Sequence, residues 1–262
     1  VSSDPFRLDG RVVVVVGAGA GIGEAVAVAC ARQGASVVCL DVDASRSDAV
    51  ARRIAADGGV AEIGALDIRD AAAVERGFAD IEARHERLDA LVCTPGINVR
   101  KPLSRYSDEE FDRVVALNLK GNFNVLRAGA GVMAKAGGGS IVVLSSIRSI
   151  VAEPGQGVYA ATKAGLVMLV RAAAAEYGAQ GVRVNAVAPG VVETPLTAPI
   201  RANAEWYAAY SDKTILKRWA TPEEIAGPTV FLLSDAASYV TGTVLFVDGG
   251  WTAADGRFQP PV

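Results

Sequence analysis

The stretch Val12-Val13-Val14-Val15-Val16-Gly17-Ala18-Gly19-Ala20-Gly21-Ile22-Gly23 decides the fold. Five consecutive valines form a short apolar run suited to a parallel strand buried on both faces. The glycines follow directly, and after them an Ala-rich amphipathic stretch runs to Gln33 and stops at Gly34. A loop placed after a first strand and at a helix N-terminus is where a pyrophosphate-binding turn belongs. Glycine allows the tight turn and close backbone approach, and the helix N–H groups supply donors. The same loop could also do no more than pack helix on strand, so the reading depends on what surrounds it.

Outward from this unit the pattern repeats. Ser36 to Leu40 reads as a second strand ending at Asp41. A helix is expected over 44–56, a strand over 60–66, a helix over 70–84 and a strand over 88–93. A long helix is expected from Asp108 to Lys135, then a strand from Ser140 to Leu144 after the Gly137-Gly138-Gly139 stop. A helix from Gly157 to about Gly178 and a strand from Val182 to Val187 come next. Thr221-Pro222-Glu223-Glu224 opens another helix, with a threonine cap, proline at its first position and acids in its first turn. Thr243 to Val247 is the last strand, ending at Asp248-Gly249-Gly250. Strands alternating with helices this regularly imply an α/β fold, a parallel sheet covered on both faces. No linker or repeat divides the chain, so one domain over 1–262 is expected.

Composition narrows the chemistry. The 262 residues are 51% hydrophobic with 28 glycines, enough for a large core. A formal charge of −3 argues against a nucleic-acid binder, which carries a basic stripe. Cys30, Cys39 and Cys93 lack metal-ligand spacing and read as buried small hydrophobes. The single histidine, His85, lies in a polar stretch and reads as a solvated helix residue, which removes His-rich metal sites and most Ser-His-Asp hydrolases. No metal is expected. No apolar run approaches the ~18 residues of a membrane span. Val1-Ser2-Ser3-Asp4-Pro5 has neither a basic start nor an apolar signal core. The expectation is a cytoplasmic protein that avoids membranes.

Asp41, eighteen residues past Gly23, ends the second strand, where a carboxylate accepts both hydroxyls of an adenosine ribose. It would repel a 2′-phosphate, and no Arg or Lys stands at 18, 20, 42 or 43 to compensate. The cofactor expected is NAD. Asp41 could instead cap the next helix, but Asp43 and Ser45 can fill that role. Farther on, Tyr159 and Lys163 stand one turn apart on one helix face. Free tyrosine has a pKa of ~10, and bringing it near ~7 requires ~4 kcal/mol. One ammonium about 4 Å away at an effective dielectric of ~20 supplies ~4 kcal/mol, so the pair suits proton transfer. Ser146 can lend a hydroxyl to the same reacting oxygen.

The spacing Gly-x-x-x-Gly-x-Gly, with Ser146, Tyr159 and Lys163, resembles the short-chain dehydrogenase/reductase family over nearly the whole chain. Asp67-Ile68, Asn118-Leu119-Lys120-Gly121, Asn185 to Gly190, Thr194 and Asp248-Gly249-Gly250 also match. The resemblance implies a doubly wound Rossmann fold whose seven-stranded parallel sheet has the order 3-2-1-4-5-6-7. Tyr159 would be the general acid/base. Lys163 would lower its pKa and hold the nicotinamide ribose, Ser146 would polarise the substrate oxygen, and Asn118 would hold a relay water. Gly17, Gly21, Ile22, Gly23 and Asp41 would take the adenosine and phosphates, with Asp67 and Ile68 on the adenine. Gly96, Pro189, Gly190, Val192 and Thr194 would complete the cofactor site. Two departures stand out. Val16 replaces the usual Thr before the first glycine, and Cys93-Thr94-Pro95-Gly96 replaces the usual Asn-Asn-Ala-Gly. The resemblance also implies a homotetramer, pairing through the helices at 108–135 and 157–178.

The substrate pocket is expected from Thr94, Arg148, Glu153, Gln156, Val191, Glu193 and a lid at about 194–219 bearing Trp206, Tyr207 and Tyr210. Aromatics beside Glu and Gln suit a polyol, sugar or hydroxy acid, though the rings could equally pack against the core or a neighbouring subunit. Arg148 suits either a substrate carboxylate or a pairing with Glu153. The tail at 251–262 has no helix or strand pattern. The closest rival is a 3-oxoacyl-thioester reductase, which commonly uses NADPH and needs a basic surface. A methyltransferase using S-adenosylmethionine would have no need of Ser146, Tyr159 and Lys163. A catalytically silent NAD-binding sensor would have no need of an intact tetrad.

Overall fold

The valine run forms strand β1 (Val12–Val16), and every residue of it is buried. Successive side chains point to opposite faces of the sheet. Val12, Val14 and Val16 join one apolar cluster, while Val13 and Val15 join the other. Two separate cores on either side of one strand explain why the run has no polar position. In the computed structural model, which describes residues 4–254, β1 pairs in parallel with β2 (Ser36–Asp41) and β4 (Ala90–Cys93). The remaining strands are β3 (Val60–Ala65), β5 (Gly139–Leu144), β6 (Val182–Pro189) and β7 (Val244–Val247). All seven form one parallel sheet in the order β3-β2-β1-β4-β5-β6-β7.

Helices α1 (Gly21–Arg32) and α2 (Ala44–Ala56) cover one face. Helix α3 (Ala71–His85) covers the other. Asp43 and Asp70 cap α2 and α3 through their carboxylates, which leaves Asp41 and Asp67 outside those caps. His85 is not solvated as expected. Its ring is only 16% exposed and lies 3.3 Å from Glu62 on β3.

The long helix expected over 108–135 is in fact three pieces. Helix α4 (Asp108–Val115) starts at a Ser107/Glu110 capping box. A π-helical turn follows over Ala116–Gly121, and α5 (Asn122–Lys135) continues from it. A π turn displaces the ladder by one residue. The Asn122 amide answers this by donating to the Leu117, Asn118 and Pro95 carbonyls. The insertion pushes Asn118 inward, where it is fully buried.

Helix α6 (Gly157–Tyr177) is long and apolar enough to cross a membrane by composition. It packs instead on β6 and α5, and its buried Val170 belongs to the same apolar cluster as Phe78 and Met133. After β6 come two short helices, α7 (Ala198–Arg201) and α8 (Ala204–Lys213), then α9 (Pro222–Leu233). Helix α9 opens at Thr221 with Pro222 in its first turn, as expected, and Glu224 reaches back to accept from the Thr221 N–H at 2.9 Å. At its far end the Arg183 guanidinium donates to the Leu232, Leu233, Ser234 and Val240 carbonyls. The predicted tail leaves the described residues after 254. All seven strands end on one edge of the sheet, and the order reverses between β1 and β4, the place where open α/β sheets hold ligands.

Candidate active site

The glycine loop has the tightness a bound diphosphate needs. Gly17 and Gly21 adopt φ of +79° and +59°, conformations that glycine alone adopts without strain. A Cβ on Gly23 would stand 2.0 Å from the Gly17 carbonyl oxygen. Here the two departures of the sequence explain each other. The Thr94 hydroxyl, from the end of β4, donates to the Val16 and Gly17 carbonyls at 2.9 and 3.2 Å. It ties β1 to β4 from the opposite strand, so Val16 can remain apolar.

Three adjoining cavities run along the strand ends. The first, about 510 Å³, is lined by Gly17, Gly21, Ile22, Gly23, Asp41, Asp67, Ile68, Gly96 and Thr194. The second, about 130 Å³, is lined by Ser146, Tyr159, Lys163, Pro189, Gly190 and Val192, and shares Ile22, Gly96 and Thr194 with the first. The third, about 320 Å³, shares Ser146, Tyr159 and Gly190 with the second and opens towards the lid. This sequence of spaces fits an extended dinucleotide, with its adenosine end at Asp41 and its reactive ring beside Tyr159. Asp41 accepts from the backbone N–H groups of Gly19 and Asp43, both at 3.1 Å, which fixes its carboxylate at the cavity wall. Asp67 is engaged by Arg69, which lines the same wall.

Around Tyr159 the structure fixes the frame tightly. Asn118 clamps residue 97 from both sides, accepting from the Ile97 N–H and donating to the Ile97 carbonyl, each at 2.8 Å. Its amide also reaches the Thr162 hydroxyl at 3.3 Å, and that hydroxyl donates to the Tyr159 carbonyl at 2.7 Å. The Ser145 hydroxyl donates to the Lys163 carbonyl at 3.0 Å. A Cβ on Gly96 would lie 3.4 Å from Lys163 Nζ and 3.6 Å from Asn118 Oδ1, so both groups face one small space above Gly96.

The electrostatic expectation for this pair needs correction. Burial raises the Tyr159 phenol above its ordinary pKa; the Ser146 hydroxyl and the Arg148 and Arg100 charges pull it down without overcoming burial. Lys163 Nζ donates to the Leu144 carbonyl at 2.7 Å and lies 5.7 Å from the Tyr159 ring centroid. Burial lowers the Lys163 ammonium from 10.5 to about 8. A base whose folded pKa lies below its unfolded value carries a penalty while both states are protonated, below about 8 here. That penalty fades as pH rises towards 10.5. Wild-type stability is therefore expected to rise over pH 8–10.5 by about 3 kcal/mol more than that of Lys163→Met. Paired denaturant titrations check this, and parallel pH profiles for the two proteins would refute it.

The third cavity is walled by Asn98, Arg100, Arg148, Gln156, Trp206 and Tyr210, among others. Arg148, two residues past Ser146, pairs with Glu153, one of its two sequence readings, and also lines the cavity. Arg100 binds the same carboxylate at 2.8 Å, and the Tyr210 hydroxyl donates to it. Each guanidinium also lies over an indole, Arg148 at 5.4 Å from Trp251 and Arg100 at 5.0 Å from Trp206. Asn98 donates to the buried Gln156 amide oxygen at 2.7 Å. Arg148, Gln156, Trp206 and Tyr210 thus line the pocket as expected. Glu193 does not: it accepts from Tyr207 at 3.0 Å and faces Arg201, away from the cavity. Glu153 lies behind the arginines and does not line the wall.

The family model described as Enoyl-(Acyl carrier protein) reductase matches residues 17–252. The chain belongs to the short-chain dehydrogenase/reductase family. It is 38% identical to D-threitol dehydrogenase of Mycolicibacterium smegmatis, over 94% of this chain and 95% of that protein. It is 37% identical to a 3-oxoacyl-(acyl-carrier-protein) reductase of Thermotoga maritima, over 93% and 98% respectively. Among solved structures, a gluconate 5-dehydrogenase from Burkholderia cenocepacia in complex with NADP and tartrate superposes with a TM-score of 0.93. It shares 35% identity over 96% of this chain and 98% of that one. This short-chain dehydrogenase/reductase is therefore an oxidoreductase acting on CH–OH groups of a small molecule, with a nicotinamide dinucleotide as cofactor.

Sequence reading missed Asn98 and Arg100, which come from the loop after β4, and Arg46 and Arg113, which flank the dinucleotide cavity. One signal was available for the first two: the loop leaves the C-terminal end of a strand beside the switch point.

Proposed function

We propose that the protein interconverts a secondary alcohol and a ketone on a polyol, sugar or hydroxy acid, using NAD. The observation that carries the reading is the third cavity. Its lining brings together Ser146 and Tyr159, two guanidinium groups, two amides and aromatic side chains from α8. Two positive charges against the single charge of Glu153 leave one net positive, which favours a hydroxylated carboxylate.

Bound nicotinamide would accept the carbinol hydride in oxidation and return it in reduction. The chain's own residues do the rest. Ser146 donates a hydrogen bond to the reacting oxygen. Tyr159, as phenolate, takes the alcohol proton. The Ser146 hydroxyl and the Arg148 and Arg100 charges work against the burial that opposes that phenolate. Lys163 and Asn118, facing one space above Gly96, hold a path for the proton to leave. Thr194 and Leu196 cover the cleft from the lid side.

NAD is preferred because the Asp41 carboxylate is fixed at the adenosine end and would repel a 2′-phosphate. Arg46 lines the same wall, paired with Asp43 at 3.2 Å, and softens that repulsion. The expected result is a kcat/KM ratio of NAD over NADP above about tenfold, falling by at least about tenfold in Asp41→Ser. Higher wild-type efficiency with NADP would overturn the assignment of Asp41.

A homotetramer is proposed on a second observation. Phe123 and Met168 are exposed on α5 and α6, beside an apolar recess lined by Val115, Leu119 and Leu169, a surface of the kind that protein contacts cover. A cytoplasmic setting is the matching proposal, consistent with three buried free thiols. A 3-oxoacyl-thioester reductase is the second reading, favoured by the Thermotoga relative. Reduction of an acetoacetyl thioester outpacing every hydroxylated substrate would establish it instead.

A further inference from the structure

Glu153 sits where the substrate pocket's charge is decided. It spans the two guanidinium groups, with Oε1 on Arg100 at 2.8 Å and Oε2 on Arg148. The Tyr210 hydroxyl from α8 completes its contacts. Both arginines line the cavity and are held over indole rings, so neither can swing out to follow a ligand freely. Arg148 is 8% exposed and Glu153 20%, so solvent screens this cluster poorly. Burial pushes the Glu153 carboxyl up, but the Tyr210 hydroxyl and the Arg148 and Arg100 charges outweigh it and hold the group below its ordinary value. It is ionised at neutral pH. With both guanidinium groups already engaged by Glu153, a ligand carboxylate meets a site bearing one net positive charge and not two.

We propose that Glu153 is a specificity-determining residue, which limits the pocket to a single net positive charge and thereby selects a singly charged hydroxy-carboxylate over both neutral alcohols and dianions. Glu153 touches no reacting atom. It acts through Arg100 and Arg148, and its effect appears in the charge dependence of binding. This rests on the reading of the cavity as the substrate site.

The test compares Glu153→Gln with wild type, using three hydroxylated probes that differ in charge: glycerol (neutral), glycerate (one charge) and tartrate (two charges). Their dissociation constants are measured by calorimetry on the enzyme loaded with reduced dinucleotide. The variant is expected to bind glycerate about tenfold tighter and tartrate tighter still, relative to its change for glycerol. Arg100→Gln, on the other side of the balance, is expected to move the same ratios in the opposite direction, and it serves as the second variant should Glu153→Gln fail to fold. If Glu153 were only a strut holding α8 closed, all three constants would shift by one common factor in Glu153→Gln, and that outcome would overturn the proposal. Turnover is not needed for this readout. If no hydroxy acid is oxidised, the substrate reading falls while the binding gradient still decides the role of Glu153.

Discussion

Tyr159→Phe is expected to lower kcat/KM for alcohol oxidation by at least about 10³-fold while leaving dinucleotide affinity within about threefold. Tyr159 lines both the narrow second cavity and the third, and the Ser146 hydroxyl hydrogen-bonds with its phenol. Phenylalanine keeps the ring and the helix that carries it and removes only the oxygen. The backbone around it is fixed by bonds independent of that oxygen, namely Thr162 to the Tyr159 carbonyl and Ser145 to the Lys163 carbonyl. Loss of turnover would therefore report lost proton transfer and not a collapsed site. Stopped-flow kinetics with fluorescence titration of the reduced dinucleotide separates the two, and activity within about tenfold of wild type would remove Tyr159 from the chemistry.

Gly23→Ala is expected to weaken dinucleotide binding by at least about 100-fold and to lower stability by about 2 kcal/mol or more. The added methyl would stand 2.0 Å from the Gly17 carbonyl oxygen and 2.9 Å from the Thr94 hydroxyl. Neither neighbour can yield cheaply. Gly17 is held in a left-handed conformation at φ +79°, and Thr94 is bonded to the carbonyls on both sides of the β1 terminus. Relief requires α1 to move off β1, and that motion opens the loop meant to receive the diphosphate. Thermal denaturation with and without NAD measures both effects. A variant that keeps wild-type ligand-induced stabilisation would show that the close approach of Gly23 does not shape the cofactor site.

The fold was legible because its signal is local and repeated. Val12 to Val16 are apolar without alternation because both faces of β1 are buried, and each helix carries its own stop or cap in sequence. The residues lining the first two cavities were legible for the same reason: they stand at strand ends, in chain order, where a parallel sheet must place them. The π turn at Ala116–Gly121 left no such trace. Its residues have ordinary helical character, and the insertion is stabilised by Asn122 bonding across to Pro95, a contact between distant segments. Arg100 and Asn98 were missed because their loop meets the segment at 148–156 only in three dimensions. Glu193 looked suitable by sequence proximity, but its carboxylate is taken by Tyr207 and turned from the cavity. The Tyr159–Lys163 balance was misjudged for a physical reason. Spacing gives the pair, but burial sets the sign of the shift, and the lysine spends its nearest bond on the Leu144 carbonyl.

Arg148 and Arg100 join the two halves of the account, since the charges that line the third cavity also reach the Tyr159 phenol. The most direct test is the formation of reduced nicotinamide, followed by its near-ultraviolet absorbance, when NAD is offered with a panel of polyols, sugars, hydroxy acids and long apolar alcohols. The expected result is turnover of hydroxylated substrates, greatest among singly charged hydroxy acids, and its loss in Tyr159→Phe under the same conditions. Turnover confined to long apolar alcohols would contradict the account.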